Sequence, residues 1–142
     1  MSFPAATEID VLDVIPQRAP IVMIDALQYA DVTKTISTFE IKDTCVFCNK
    51  GFLSESGMIE NIAQTGAAGF GYLDKQQNKA ISLGFIASIK NIEIQKLPPV
   101  GSVITTEVIA QEPVMGFNII LGKIILNDSI IASCEMRIFV QP

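Results

Sequence analysis

The sequence predicts an α+β domain in which one long apolar helix packs on an antiparallel sheet. Three observations predict it. A single strong helix signal runs from about Glu55 to Tyr72. Strand-like stretches stand on both sides of it, two before and four after. Successive strands are joined by short turns, as antiparallel neighbours are. The 142 residues suit one domain, 1–142, without a second.

The elements follow in order. Glu8 to Ile15 carries Ile9 and Leu12 at helical spacing and stops at Pro16, so it reads as a short helix. Ile21 to Tyr29 is rich in branched apolar residues and reads as a strand. Thr33 to Ile41 alternates in the manner of a second strand, with Asp31-Val32 in the turn between them. A loop passes through Cys48-Asn49-Lys50-Gly51. Ser54 and Ser56 are candidate N-caps of the long helix, and Glu55 suits the positive end of its dipole.

The helix interior holds Ala63, Gly66, Ala67, Ala68, Gly69 and Gly71. Each glycine costs roughly 1 kcal/mol relative to alanine. The expected return is close approach of neighbouring strands, and so few charges predict a helix buried on several sides. Ser82 to Ile94, Val103 to Ile109, Phe117 to Leu126 and Ile130 to Val140 read as strands. Turns are expected at Leu97 to Gly101, at Pro113 to Gly116 and at Asn127-Asp128. Tyr29, Phe70 and Tyr72 are expected in the core, and Arg18 is expected to pair with Asp25.

Composition narrows the function. Hydrophobic residues make up 49% of the chain and charged residues 18%, with a mean hydropathy of +0.43. A chain this apolar predicts a large core or a large subunit interface, hence an oligomer. No stretch reaches the roughly 18 uncharged apolar residues of a membrane span. The N-terminus lacks a basic start followed by an apolar run, so a cytoplasmic location is expected. A net charge of −5 without a basic run argues against nucleic acid as a partner.

There is no histidine, which excludes Ser-His and Cys-His nucleophiles. The three cysteines, Cys45, Cys48 and Cys134, fall short of the four nitrogen or sulfur ligands of a structural zinc site. Neither a metal nor a cofactor is expected.

Three stretches in order carry a family resemblance. Ile15-Pro16-Gln17-Arg18-Ala19-Pro20-Ile21-Val22-Met23-Ile24-Asp25 resembles the "LPHRxPxLLVD" opening of the FabZ/FabA-type 3-hydroxyacyl-carrier-protein dehydratases. Gly57-Met58-Ile59-Glu60-Asn61-Ile62-Ala63-Gln64-Thr65 resembles their central-helix "LxxExxAQ". Leu97-Pro98-Pro99-Val100-Gly101-Ser102-Val103 resembles their "xPVxPGDxL" turn. The divergent dehydratase-like subunits of aryl-polyene clusters are similar in "PxxAPMLLLD", in "ELMAQT" and in a C-terminus near "YQP", here Phe139-Val140-Gln141-Pro142.

The resemblance implies a hotdog fold, an antiparallel sheet wrapped around the central helix, that dimerises through the sheet edge. It also implies an acyl thioester on an acyl carrier protein as substrate. Glu60 stands at the family's catalytic acid. Ser56 and Gly57 stand where a backbone amide at the helix N-terminus polarises the thioester carbonyl. Gln64 shares a helix face with Glu60 and reads first as a polar residue satisfied by neighbouring backbone. Phe85, with Leu83 and Ile86, is placed along an acyl tunnel.

The departures are as telling. Val46 stands in place of the loop histidine that removes the α proton, and Gln17 in place of the histidine of "PHR". Three functions follow. The chain is a subunit that presents Glu60 to a histidine-bearing dehydratase partner, or a histidine-independent thioesterase that uses Glu60, or a non-catalytic acyl-binding domain; a homodimer or a heterodimer with a histidine-containing dehydratase is expected. The first ranks ahead. Lys90, Lys96, Lys123 and Arg137 are the cations available to an acidic carrier, although a scattered solvated face explains them as well.

Overall fold

A computed structural model describes residues 3–141. Pro142, the last residue of the C-terminal match, lies outside them, as do Met1 and Ser2 of the N-terminal stretch. Among the described residues eight strands and one long helix are formed: β1 (Ala26–Ala30), β2 (Lys34–Glu40), β3 (Cys48–Asn49), β4 (Phe52–Leu53), α1 (Glu55–Gln76), β5 (Leu83–Ile94), β6 (Val103–Ala110), β7 (Asn118–Leu126) and β8 (Ser129–Gln141). Six strands form one sheet in the order β1-β2-β6-β7-β8-β5, every pair antiparallel. β3 and β4 form a separate small hairpin.

Turn chemistry sets the register. Asn127 and Asp128 both have positive φ, which suits the tight two-residue turn between β7 and β8. Lys50 and Gly51 do the same in the β3–β4 hairpin, where the sequence alone suggested only a loop. Asp31 accepts from the backbone N–H groups of Thr33 and Lys34, both at 2.8 Å, and so closes the β1–β2 turn. The Leu97–Gly101 turn braces that small hairpin. Leu53 N–H donates to Pro98 O at 2.9 Å, and Val100 N–H to Gly51 O at 2.9 Å.

α1 begins at Ser54, whose hydroxyl accepts from Gly57 N–H at 3.2 Å, and Lys75 lies in its last turn. It runs about one turn beyond the expected Tyr72. One side packs on the inner sheet face, where Met58 and Ile62 meet Ile104, Ile120, Ile124 and Met136. The other side, with Ala68 and Tyr72, packs on Val11, Val14, Ile15, Ile24 and Leu27. The helix is therefore buried on several sides, as its lack of charge predicted. Gly69 and Gly71 allow this closeness. A Cβ at Gly69 would collide with the Thr35 hydroxyl, and one at Gly71 with the Val14 carbonyl oxygen.

Four expectations are corrected. Glu8 to Ile15 is not one helix but two short 3-10 turns, Ala6–Glu8 and Val11–Asp13, the second capped by Asp10. The first strand begins at Ala26 rather than Ile21. Tyr29 is 45% exposed rather than core, its hydroxyl bonded to Asp31. Arg18 and Asp25 do not pair. The Arg18 guanidinium donates to the carbonyls of Ile15 and Gln17, at 2.8 and 2.7 Å, and Asp25 accepts from Glu40 N–H at 2.7 Å.

Candidate functional site

The site is built on one stripe of α1. Glu60, Ala63, Ala67 and Phe70 recur at helical spacing and line a cavity of about 270 Å³. Ser82, Gly84, Phe85 and Ile86, at the start of β5, form the facing wall. Ile138 and Val140 of β8 and Gln17 of the N-terminal segment complete it. Most of this lining is apolar, and Glu60 is its one ionisable group. Phe70 belongs both to the core and to this lining.

Glu60 is held from its own helix. Gln64, one turn on, donates from Nε2 to Glu60 Oε1 at 2.8 Å. The same Nε2 donates to Ile21 O at 2.9 Å, and Gln64 Oε1 accepts from Met23 N–H at 2.7 Å. Gln64 is fully buried, and its amide is spent on these three bonds. Asn61 adds a fourth tie, donating to Met23 O at 2.7 Å and accepting from the Thr106 hydroxyl of β6. Thr65 bonds Ser37 of β2 at 2.7 Å. One polar row on α1 thus pins Glu60, the 21–23 segment and two strands together.

Each expected site residue has a definite place. Glu60 and Phe85 meet at the cavity, with Phe85 53% exposed. Gln64 lies behind Glu60, outside the lining. Ser56 is exposed at the helix N-terminus, and Gly57 is buried with its N–H on the Ser54 hydroxyl. Neither lines the cavity. Ile86 of the expected tunnel lines it, whereas Leu83 does not. Val46, at the family's histidine position, is exposed.

Ala63, Ala67 and Phe70 were not singled out as site residues. Counting three, seven and ten residues on from Glu60 would have found them, because those intervals keep to one helix face.

The cysteines stand apart from this cavity. Cys45 Sγ approaches Met23 Sδ at 3.7 Å. Burial, and then the neighbouring Cys45 thiol, pushes Cys48 up to about 11, and burial alone pushes Cys134 up to about 11. Both stay protonated near neutrality, which makes them poor nucleophiles and poor ligands. Among the described residues no group of three or more His, Cys, Asp or Glu side chains is placed to hold a metal ion. Lys123, one of the candidate carrier contacts, pairs with Glu107 at 3.2 Å. Among the described residues no helix is long and apolar enough to cross a membrane.

The architecture is that of known hotdog proteins. One chain of the dehydratase heterocomplex ApeI:P from Xenorhabdus doucetiae is similar with a TM-score of 0.87 at 19% identity, over 94% of this chain and 92% of that one. A hypothetical thioesterase with coenzyme A from Streptococcus pneumoniae TIGR4 gives 0.66 at 10% identity, over 81% and 84%. The PaaI protein of the E. coli phenylacetic acid degradation operon gives 0.62 at 10% identity, over 80% of each chain. At such identities these likenesses define the fold, and the fold is the hotdog.

Family membership comes from sequence. Residues 9–142 match the model of the ApeP-like family, described as ApeP dehydratase, and the chain belongs to that family. No curated protein matches it. The kinship with dehydratases expected from the three sequence motifs is thereby established.

Proposed function

We propose that this chain is the histidine-free subunit of a two-chain dehydratase that acts on 3-hydroxyacyl groups carried as thioesters by an acyl carrier protein, in aryl-polyene-type biosynthesis. The observation that carries the proposal is Glu60. It is fixed by Gln64 on the wall of a mostly apolar cavity, and the facing wall belongs to a sheet-edge strand. Even half-buried, a carboxyl group set beside apolar side chains is costly without a chemical use. The heteromeric character of the ApeI:P dehydratase supports a partner.

The reaction needs one group to take a proton and one to give one. In the proposed step a base on the partner chain removes the proton from the carbon next to the thioester carbonyl. The released electron pair forms the new carbon–carbon double bond, and the bond from the third carbon to its hydroxyl oxygen breaks. Glu60, as the general acid of this step, gives a proton to that oxygen, which leaves as water. Gln64 positions Glu60. Phe85 and Ile86 contact the acyl chain where the partner covers β5. Ser56 and Gly57 take the thioester carbonyl if it displaces the Ser54 hydroxyl from Gly57 N–H. The reaction requires no metal or organic cofactor.

The test is reconstitution with a histidine-bearing dehydratase encoded beside this chain. Dehydration of 3-hydroxyacyl carrier protein should require both chains. Glu60→Gln should lower turnover by about 10²- to 10⁴-fold while the complex still forms. A partner that is fully active alone and does not bind this chain would sink the proposal.

A further inference from the structure

We propose that Phe70 is the stop that limits the length of the bound acyl chain, with Ala63 and Ala67 as the track that leads to it. This rests on the acyl reading of the cavity and adds to it a residue that sets substrate length. Glu60, Ala63, Ala67 and Phe70 form one row on α1, and all four border the cavity. At 1.5 Å of rise per residue the row covers about 15 Å of helix axis. Glu60 stands at one end of it and Phe70 at the other. The facing wall is fixed at the Phe70 end: the N–H of Ser82, which opens that wall, donates to Oδ2 of Asp74, one turn on from Phe70, at 3.1 Å.

Side-chain size changes once along the row. Ala63 and Ala67 are half-buried and present only methyl groups, so an acyl chain can lie close against the helix there. Phe70 then fills the path. Side chains on a helix lean toward its N-terminus, so the ring leans back over Gly66 and Ala67, toward the approaching tail. The ring is also braced from behind. It packs against the hydrophobic core, and the crevice that it borders with Gly66, Gly69, Leu73 and Ile120 measures about 20 Å³. That is room for about one water and for no stretch of chain. The cavity before the ring, at about 270 Å³, is at the small end of ligand sites. The substrates are therefore 3-hydroxyacyl groups of short to medium length, whose tails end against Phe70.

A chain-length series tests this by binding to the full chain in the assembly in which it purifies. The probes are the even-chain 3-hydroxyacyl amides of pantetheine from butanoyl to tetradecanoyl, in which an amide replaces the thioester. Affinity for the native chain should rise about 10-fold with each two-carbon step, until the tail meets the ring, and then level off or fall. Phe70→Ala should move that limit to a longer chain by at least one step. Where Phe70→Ala does not fold, Phe70→Leu, which keeps an apolar contact with the core, should move it in the same direction. Ala67→Leu narrows the track and should move the limit to a shorter chain, with the shortest probe bound as before. Opposite shifts from neighbouring positions on one row are not what loss of packing produces.

An unchanged limit in a folded Phe70 variant overturns the inference, as does equal weakening of every probe. Ser82 also borders a separate recess with Ala80, Ile81, Leu83 and Gln141. A limit that moves in Ser82→Leu but not in Phe70→Ala sends the tail into that recess and likewise overturns it. A native chain whose affinity does not vary with chain length overturns the acyl reading of the cavity itself, and this inference with it.

Discussion

Gln64 makes three hydrogen bonds with one amide, and each has a different consequence. The bonds to Ile21 O and Met23 N–H satisfy backbone groups of a segment that has few strand partners. The bond to Glu60 fixes the acid. Gln64→Leu should therefore act twice. It leaves two backbone groups unpaired in the interior and removes the donor that holds Glu60, at a cost of about 3 kcal/mol of stability. Urea unfolding should show this as a lower midpoint at unchanged slope. A loss well under 1 kcal/mol would mean that water replaces the amide. The sequence placed Gln64 as a satisfied polar residue on the face of Glu60, because i and i+4 spacing is a local rule. Its partners lie 41 and 43 residues away, beyond the reach of any local rule.

At the scale of elements, what was legible depended on locality. α1, the Asn127-Asp128 turn and the β6 to β8 strands could be read because capping, turn conformation and alternation are short-range. Ile21 to Asp25 misled for the same reason: its branched residues have strand character. Yet the N–H and C=O of Met23 are taken by side chains of α1 rather than by a neighbouring strand. The β3–β4 hairpin was missed because two-residue strands carry no period, although Lys50-Gly51 was a turn signal.

The glycines of α1 give the sharpest prediction here. Glycine to alanine in a helix ordinarily gains up to about 1 kcal/mol. Gly71→Ala should instead destabilise by about 2 kcal/mol or more, because the backbone oxygen of Val14 cannot move aside as a side chain could. Thermal melting of the variant checks this, and a higher melting temperature would refute the tight contact.

For the whole molecule, the decisive feature is that, among the described residues, β5 pairs only with β8 and leaves its other edge without a strand neighbour. Leu83, Phe85, Ile86 and Ile92 on this strand are exposed. A long apolar edge is an invitation to pairing that soluble proteins rarely leave open. The high apolar content hinted at an interface; the sheet has two edges, β1 and β5, and the exposed apolar side chains of β5 make it the edge predicted to pair. The chain should sediment as a two-chain or larger particle, alone or with its partner. Ile92→Lys, remote from the cavity, should weaken that association at least 10-fold without unfolding the domain. A native chain that stays monomeric at micromolar concentration, with and without a dehydratase partner, would exclude the edge as an interface.

The same strand that lacks a neighbour also walls the cavity, through Phe85 and Ile86. On the proposed reading, a partner docked on that edge would press on these two side chains, and so help to set how wide the pocket stands and how long a chain it admits. Selectivity would then be a shared trait of two polypeptides. Exchanging the companion subunit should retune the preferred acyl length while every residue of this chain stays the same.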